Sequence, residues 1–175
     1  MNWPNRLSLI RVFCIPVMTA LLYLPGPAAK WTAAAVFALA CLTDFLDGHL
    51  ARKNNWVTDF GKFIDPVADK LLVLSALVML VWMQLVPAWM MIIILARELS
   101  VDGLRLIAMT KGQVIAAGPL GKIKTFSQML VILGLLILRQ PLFSTWYGIL
   151  AGIWITGITL YSGVDYFRRN PDVLR

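Results

Sequence analysis

Long apolar runs fill most of this chain, and one polar segment, from Asp44 to Lys70, breaks them. A membrane-crossing helix needs about 20 mainly apolar residues. Six stretches meet that need. The first covers about Ser8 to Leu24 and stops at Pro-Gly-Pro. The second runs from about Trp31 to Arg52, and the third from about Asp59 to Met83, followed by a short turn near Pro87. The fourth runs from about Trp89 to Met109. The fifth covers about Leu120 to Leu138, ending at Arg-Gln-Pro, and the sixth about Phe143 to Phe167. The pattern predicts an all-α integral membrane protein with six transmembrane helices, residues 1–175 forming a single transmembrane domain. The first stretch also has the basic start and small-residue site of a cleaved signal peptide. Arg11 interrupts its apolar run, so a retained helix is expected.

Composition agrees. Of 175 residues, 59% are hydrophobic and only 14% charged, roughly half the charged share of an ordinary soluble domain. Mean hydropathy is +0.77. The formal charge of +7 would point to nucleic acid in a soluble protein. In a membrane protein it marks the cytoplasmic side, and no nucleic-acid partner is expected. The basic residues sort accordingly. Arg6 and Arg11 lie at the amino end, Arg52, Lys53 and Lys62 between the second and third helices, Arg105, Lys111, Lys122 and Lys124 between the fourth and fifth, and Arg168, Arg169 and Arg175 at the carboxyl end. The opposite loops hold only Lys30 and Arg139, so both termini should be cytoplasmic. Trp31, Trp82, Trp89 and Trp146 fall near helix ends, as interfacial aromatics do. Cys14 and Cys41 sit in apolar runs and read as packing residues.

The polar segment holds five of the nine acidic residues: Asp44, Asp47, Asp59, Asp65 and Asp69. Four carboxylates left deep in a bilayer without partners would cost on the order of 10 kcal/mol. Asp44 and Asp47 are three apart, Asp65 and Asp69 four apart, so each pair shares a face of its own helix. The short connection makes the two helices antiparallel neighbours whose pairs can face each other. Repelling carboxylates without cations among them call for a bound divalent ion, and an oxygen-only set suits Mg²⁺, Mn²⁺ or Ca²⁺. They could hold two metals, or hold metal and leave one carboxylate as a base. The bland alternative is helix-end charges paired with Arg52, Lys62 and Lys70. His49 lacks a second non-carboxylate ligand at helical spacing.

The segment reads D-x-x-D-G-x-x-A-R-x8-G-x3-D-x3-D, with Asp44, Asp47, Gly48, Ala51, Arg52, Gly61, Asp65 and Asp69 at the specified positions. It resembles the signature of the CDP-alcohol phosphatidyltransferases. That resemblance implies a six-helix membrane enzyme, commonly dimeric, that displaces CMP from a CDP-linked lipid with an alcohol. It implies that Asp44, Asp47, Asp65 and Asp69 hold Mg²⁺ or Mn²⁺, with two ions expected, and that Asp69 is the general base. It places Gly48, Ala51, Arg52 and Gly61 around the CDP group. Asn5 and Arg11 are assigned to the same CDP-lipid site, the alternative being that they anchor an interfacial amino-terminal segment.

Three further stretches, Asn2 to Arg11, Ala96 to Arg105 and Leu120 to Thr125, resemble the bacterial phosphatidylglycerophosphate synthases. That implies CDP-diacylglycerol and sn-glycerol 3-phosphate as substrates, a homodimer among membrane lipids, and an active site on the cytoplasmic face of the inner membrane. A phosphorylated acceptor needs a basic pocket, and Arg97, Arg105, Lys122 and Lys124 are its candidates. Glu98 and Asp102 are expected to pair with them. The alternative for the lysines is contact with anionic lipid. Another acceptor, inositol phosphate or phosphatidylglycerol, is a second reading within the family. A divalent-cation transporter is a third, disfavoured because the acids cluster at one face. Gly148 and Gly152 form a G-x-x-x-G that serves either dimerisation or packing within the chain.

Overall fold

The computed structural model describes residues 3–54, 59–113, 115 and 118–173; for 3–8, 44–54 and 59–66 it describes the backbone alone. Among the described residues the regular structure is all helical. Six long helices follow in order: α1 (Trp3–Tyr23), α2 (Pro27–Asn54), α3 (Asp59–Trp82), α4 (Ala88–Thr110), α5 (Pro119–Leu138) and α6 (Trp146–Arg169). Short 3₁₀ turns at Leu142–Ser144 and Pro171–Val173 flank α6. Each apolar run expected to form a helix does so. The hydropathic edges differ where local chemistry overrides apolarity. Helix α1 begins at Trp3, ahead of the apolar run. Pro27 opens α2, where its fixed φ suits a first helical residue and no N–H is needed. Helix α6 starts at Trp146 rather than Phe143, because Thr145 is extended and its hydroxyl accepts from the Gly148 amide.

The chain forms two compact units. The first comprises residues 1–83 and 132–139. In it α1 packs on both α2 and α3. Met18 and Leu22 of α1, Ala33, Phe37 and Ala40 of α2, and Leu72, Ala76 and Leu80 of α3 are buried. The alanines allow the close helix approach on which packing in lipid depends. Pro16 lies inside α1; an interior proline is tolerated in membrane helices. At one end of this unit Tyr23 stacks on Trp82 at 4.6 Å, and Arg139 lies 5.6 Å over the Trp31 ring while donating to the Pro27 carbonyl at 3.1 Å.

The second unit comprises residues 84–131 and 140–175. Helix α4 buries Met90, Ile94, Val101, Leu104 and Ala108, and α6 packs against it. The final 3₁₀ turn folds back so that Val173 joins Val101, Leu104, Ala108 and Tyr166 in one apolar cluster. The glycine pair of α6 works within this unit. A Cβ on Gly148 would stand 1.9 Å from the Leu142 carbonyl oxygen, and one on Gly152 would stand 2.7 Å from the Phe143 ring. The pair therefore seats the preceding 3₁₀ turn against its own helix.

Large apolar side chains also point outward: Phe13 is 72% exposed and Trp146 74%. So much outward apolar surface is what a bilayer, not water, covers. By length and apolarity alone α5 and α6 are able to cross a membrane, and Leu9–Tyr23 and Pro27–Thr43 are shorter apolar stretches. Helix α4 carries Arg97, Glu98, Asp102 and Arg105 in its second half.

Candidate active site

Asp44 and Asp47 lie in the carboxyl-terminal half of α2, and Asp65 and Asp69 in the amino-terminal half of α3. The two helices are in contact. Side-chain placement of Asn5, Asp44, Asp47, Gly48, Ala51, Arg52, Gly61 and Asp65 lies outside the described residues.

Asp69 is described, and it has a partner the spacing of the acidic segment did not supply. Arg11 Nη1 donates to Asp69 Oδ1 at 2.5 Å, across 58 residues of sequence. The Arg11 side chain is 1% exposed and that of Asp69 32%. Packing of α1 on α3 brings the two together. A buried guanidinium demands such a pairing, since an isolated buried charge is strongly unfavourable. The expectation that the carboxylates lack a cation among them is therefore corrected at Asp69. Arg11, assigned to the CDP-lipid site by the resemblance, thus stands in a part-buried pair with Asp69. Asp69 is paired with a buried cation while its side chain stays about one-third exposed.

Three basic candidates gather in the second unit. Glu98 Oε1 accepts from Arg97 Nη1 at 3.1 Å and also from Lys124 Nζ. Both cations share one carboxylate oxygen, so the trio keeps a net positive charge. Lys124 is buried, at 3% exposure, in the first half of α5. Gly163 makes room for Arg97, whose Cγ lies 3.1 Å from where a Cβ would stand; Gly121 adjoins the same guanidinium, with Nη2 at 3.8 Å from its own Cβ position, an ordinary contact. A mainly apolar hollow of about 590 Å³ between α4 and α6 is bordered by Ile93, Leu160, Val164 and Phe167, with Arg97 and Arg168 also on its lining. Arg105 Nε donates to Tyr166 Oη at 2.8 Å, with the guanidinium 5.4 Å over the same ring. Gly163 and Tyr166 are three apart on α6, so Arg97 and Arg105 reach one face of that helix. Lys122 is exposed and stands apart from the Arg97–Glu98–Lys124 contacts. Lys111 donates to the Val173 carbonyl at 2.9 Å, which secures the terminal turn.

Sequence reasoning missed three residues here. Tyr166 reads as one more aromatic near a helix end, and Gly163 as a common membrane glycine. Gln128 carried a signal that went unused: a lone amide one turn after Lys124 in an apolar helix.

The second unit thus gathers two cations about one carboxylate, and the first pairs one carboxylate with a buried guanidinium. Comparison with known proteins bears on which reaction that serves. The sequence profile described as CDP-alcohol phosphatidyltransferase matches residues 1–160. The chain is 42% identical over 189 aligned positions to a CDP-diacylglycerol–glycerol-3-phosphate 3-phosphatidyltransferase of Bacillus subtilis (strain 168), covering 99% of this chain and 97% of that protein. A protein of the same name from Rickettsia bellii is 41% identical, with 95% and 94% covered. One from Pseudomonas fluorescens is 38% identical, with 96% and 89% covered.

Proposed function

The chain belongs to the CDP-alcohol phosphatidyltransferase family, and we propose that it transfers the phosphatidyl group of CDP-diacylglycerol to sn-glycerol 3-phosphate, giving phosphatidylglycerophosphate and CMP in phospholipid synthesis. The names of its full-length relatives support the reaction. The observation that supports a phosphorylated acceptor is the gathering of Arg97 and Lys124 about Glu98, two cations partly buried beside one another in the second unit.

Asp44, Asp47, Asp65 and Asp69 are proposed to hold Mg²⁺ or Mn²⁺, two ions in all. The donor set fits, being oxygen-only and carried by two adjoining helices. When bound, the ions supply positive charge to the pyrophosphate and to the departing CMP. Asn5, Gly48, Ala51, Arg52 and Gly61 line the CDP-lipid site, with Arg52 gripping phosphate oxygens. Arg97, Arg105, Lys122 and Lys124 bind the acceptor phosphate. Asp69 takes the proton of the attacking hydroxyl as it bonds to phosphorus, and Arg11 holds that carboxylate in place. Six transmembrane helices, cytoplasmic termini, an inner-membrane location with the site facing the cytoplasm, and a homodimer complete the proposal. The basic-residue distribution supports the orientation; resemblance to the family supports the dimer.

Purified protein in detergent should be given CDP-diacylglycerol, Mg²⁺ and one labelled acceptor at a time: glycerol 3-phosphate, inositol phosphate, phosphatidylglycerol or serine. Product from glycerol 3-phosphate is expected. Product from another acceptor alone would overturn the reading of the basic group.

A further inference from the structure

Gln128 is an anomaly in α5. It is 1% exposed, and neither its Nε2 nor its Oε1 has a hydrogen-bond partner. Buried amides are almost always bonded, and leaving both halves of one unmet is unfavourable in a dry interior. Its place on the helix is informative. Gly121, Lys124 and Gln128 recur at helical spacing, so they lie on one stripe of α5. The first of them adjoins the Arg97 guanidinium, and the second bonds Glu98. All belong to the second unit. Gln128 thus stands one turn beyond the basic trio, displaced by about 6 Å along the helix axis.

The chemistry of an amide selects its partner. It offers a donor and an acceptor together. A phosphate dianion only accepts, and the trio already serves that need. A hydroxyl both donates and accepts. From this placement we infer that Gln128 determines acceptor specificity: its amide binds a hydroxyl of the glycerol moiety while Arg97 and Lys124 hold the phosphate one turn away. This inference rests on the acceptor assignment above. It gives both halves of a buried amide a partner.

The test uses the full chain in detergent and reads binding through ligand-induced thermal shifts. Two probes are titrated, sn-glycerol 3-phosphate and propyl phosphate, which keeps the phosphate and lacks both hydroxyls. Wild-type protein should bind glycerol 3-phosphate about tenfold more tightly than propyl phosphate. Gln128→Leu should reduce that preference to less than about threefold by weakening glycerol 3-phosphate alone. Its melting temperature without ligand should equal or exceed wild type, because an unmet buried polar group has been removed. Should Gln128→Leu not fold, Gln128→Asn withdraws the amide by one methylene and should lose the same preference. A preference that survives either substitution overturns the inference. So does a wild type with no preference, or a Gln128→Leu protein that is less stable and weakened alike for both probes. Failure of wild type to make phosphatidylglycerophosphate would instead overturn the acceptor assignment, so the two failures are distinguishable.

Discussion

Arg11 and Asp69 show what a single pairing decides. The carboxylate proposed as base is fixed by a guanidinium that is itself buried, so neither side chain is free to reorient independently. Asp69→Asn is expected to abolish turnover while sparing CDP-lipid binding more than Asp44→Asn does; equal loss of binding in both would deny Asp69 a separate role as base. Glu98 is the corresponding residue of the proposed acceptor group. Glu98→Gln leaves Arg97 and buried Lys124 without their shared charge and should destabilise the protein by about 3 kcal/mol, read as a lowered melting temperature. Arg105→Ala should raise the KM for glycerol 3-phosphate several-fold with little change in that for CDP-diacylglycerol, and an unchanged KM would remove Arg105 from the acceptor site. At this scale the sequence was half legible. The aspartates announce themselves by number and spacing in an oily chain. Glu98 is expected to pair with nearby bases, but its observed partners are the adjacent Arg97 and Lys124, 26 residues away, neither at helical spacing. The Arg11–Asp69 contact was not legible, because it spans 58 residues and depends on how α1 packs.

At the scale of elements, apolar run length was enough to locate six helices, since each run is long and punctuated by proline, glycine or charge. It was not enough to place their ends. Phe143 is as apolar as any helix residue, yet it belongs to a 3₁₀ turn because Thr145 caps α6 two residues later. The G-x-x-x-G of α6 was ambiguous for a related reason: small residues permit close approach without naming the neighbour. Here the neighbours of Gly148 and Gly152 are Leu142 and Phe143 of the same chain. Gly148→Ala should therefore lower the melting temperature markedly, since the new methyl meets backbone. Gly157→Ala is the control. A Cβ there meets nothing within 4 Å, and alanine in a helix gains about 0.5–1 kcal/mol over glycine. Equal effects of the two substitutions would remove the packing role of Gly148.

For the whole molecule, charge and hydropathy carry most of the message. Outward apolar side chains, and basic residues concentrated on one set of loops, both call for a bilayer. Among the described residues, apolarity alone marks α5 and α6 as able to cross it, and α4 interrupts its own run with Arg97, Glu98, Asp102 and Arg105. The proposed orientation predicts that single cysteines at Lys30 and at Lys111, in a Cys14→Ser, Cys41→Ser background, react with an impermeant thiol reagent from opposite faces of sealed vesicles. Reaction from the same face would contradict it.

The most direct test of the central claim is to quantify CMP and phosphatidylglycerophosphate together, from purified wild-type protein given CDP-diacylglycerol, glycerol 3-phosphate and Mg²⁺. The account predicts equimolar products, with both lost on adding chelator and both lost in Asp69→Asn. CMP released without the phospholipid, or full turnover persisting in Asp69→Asn, would contradict it.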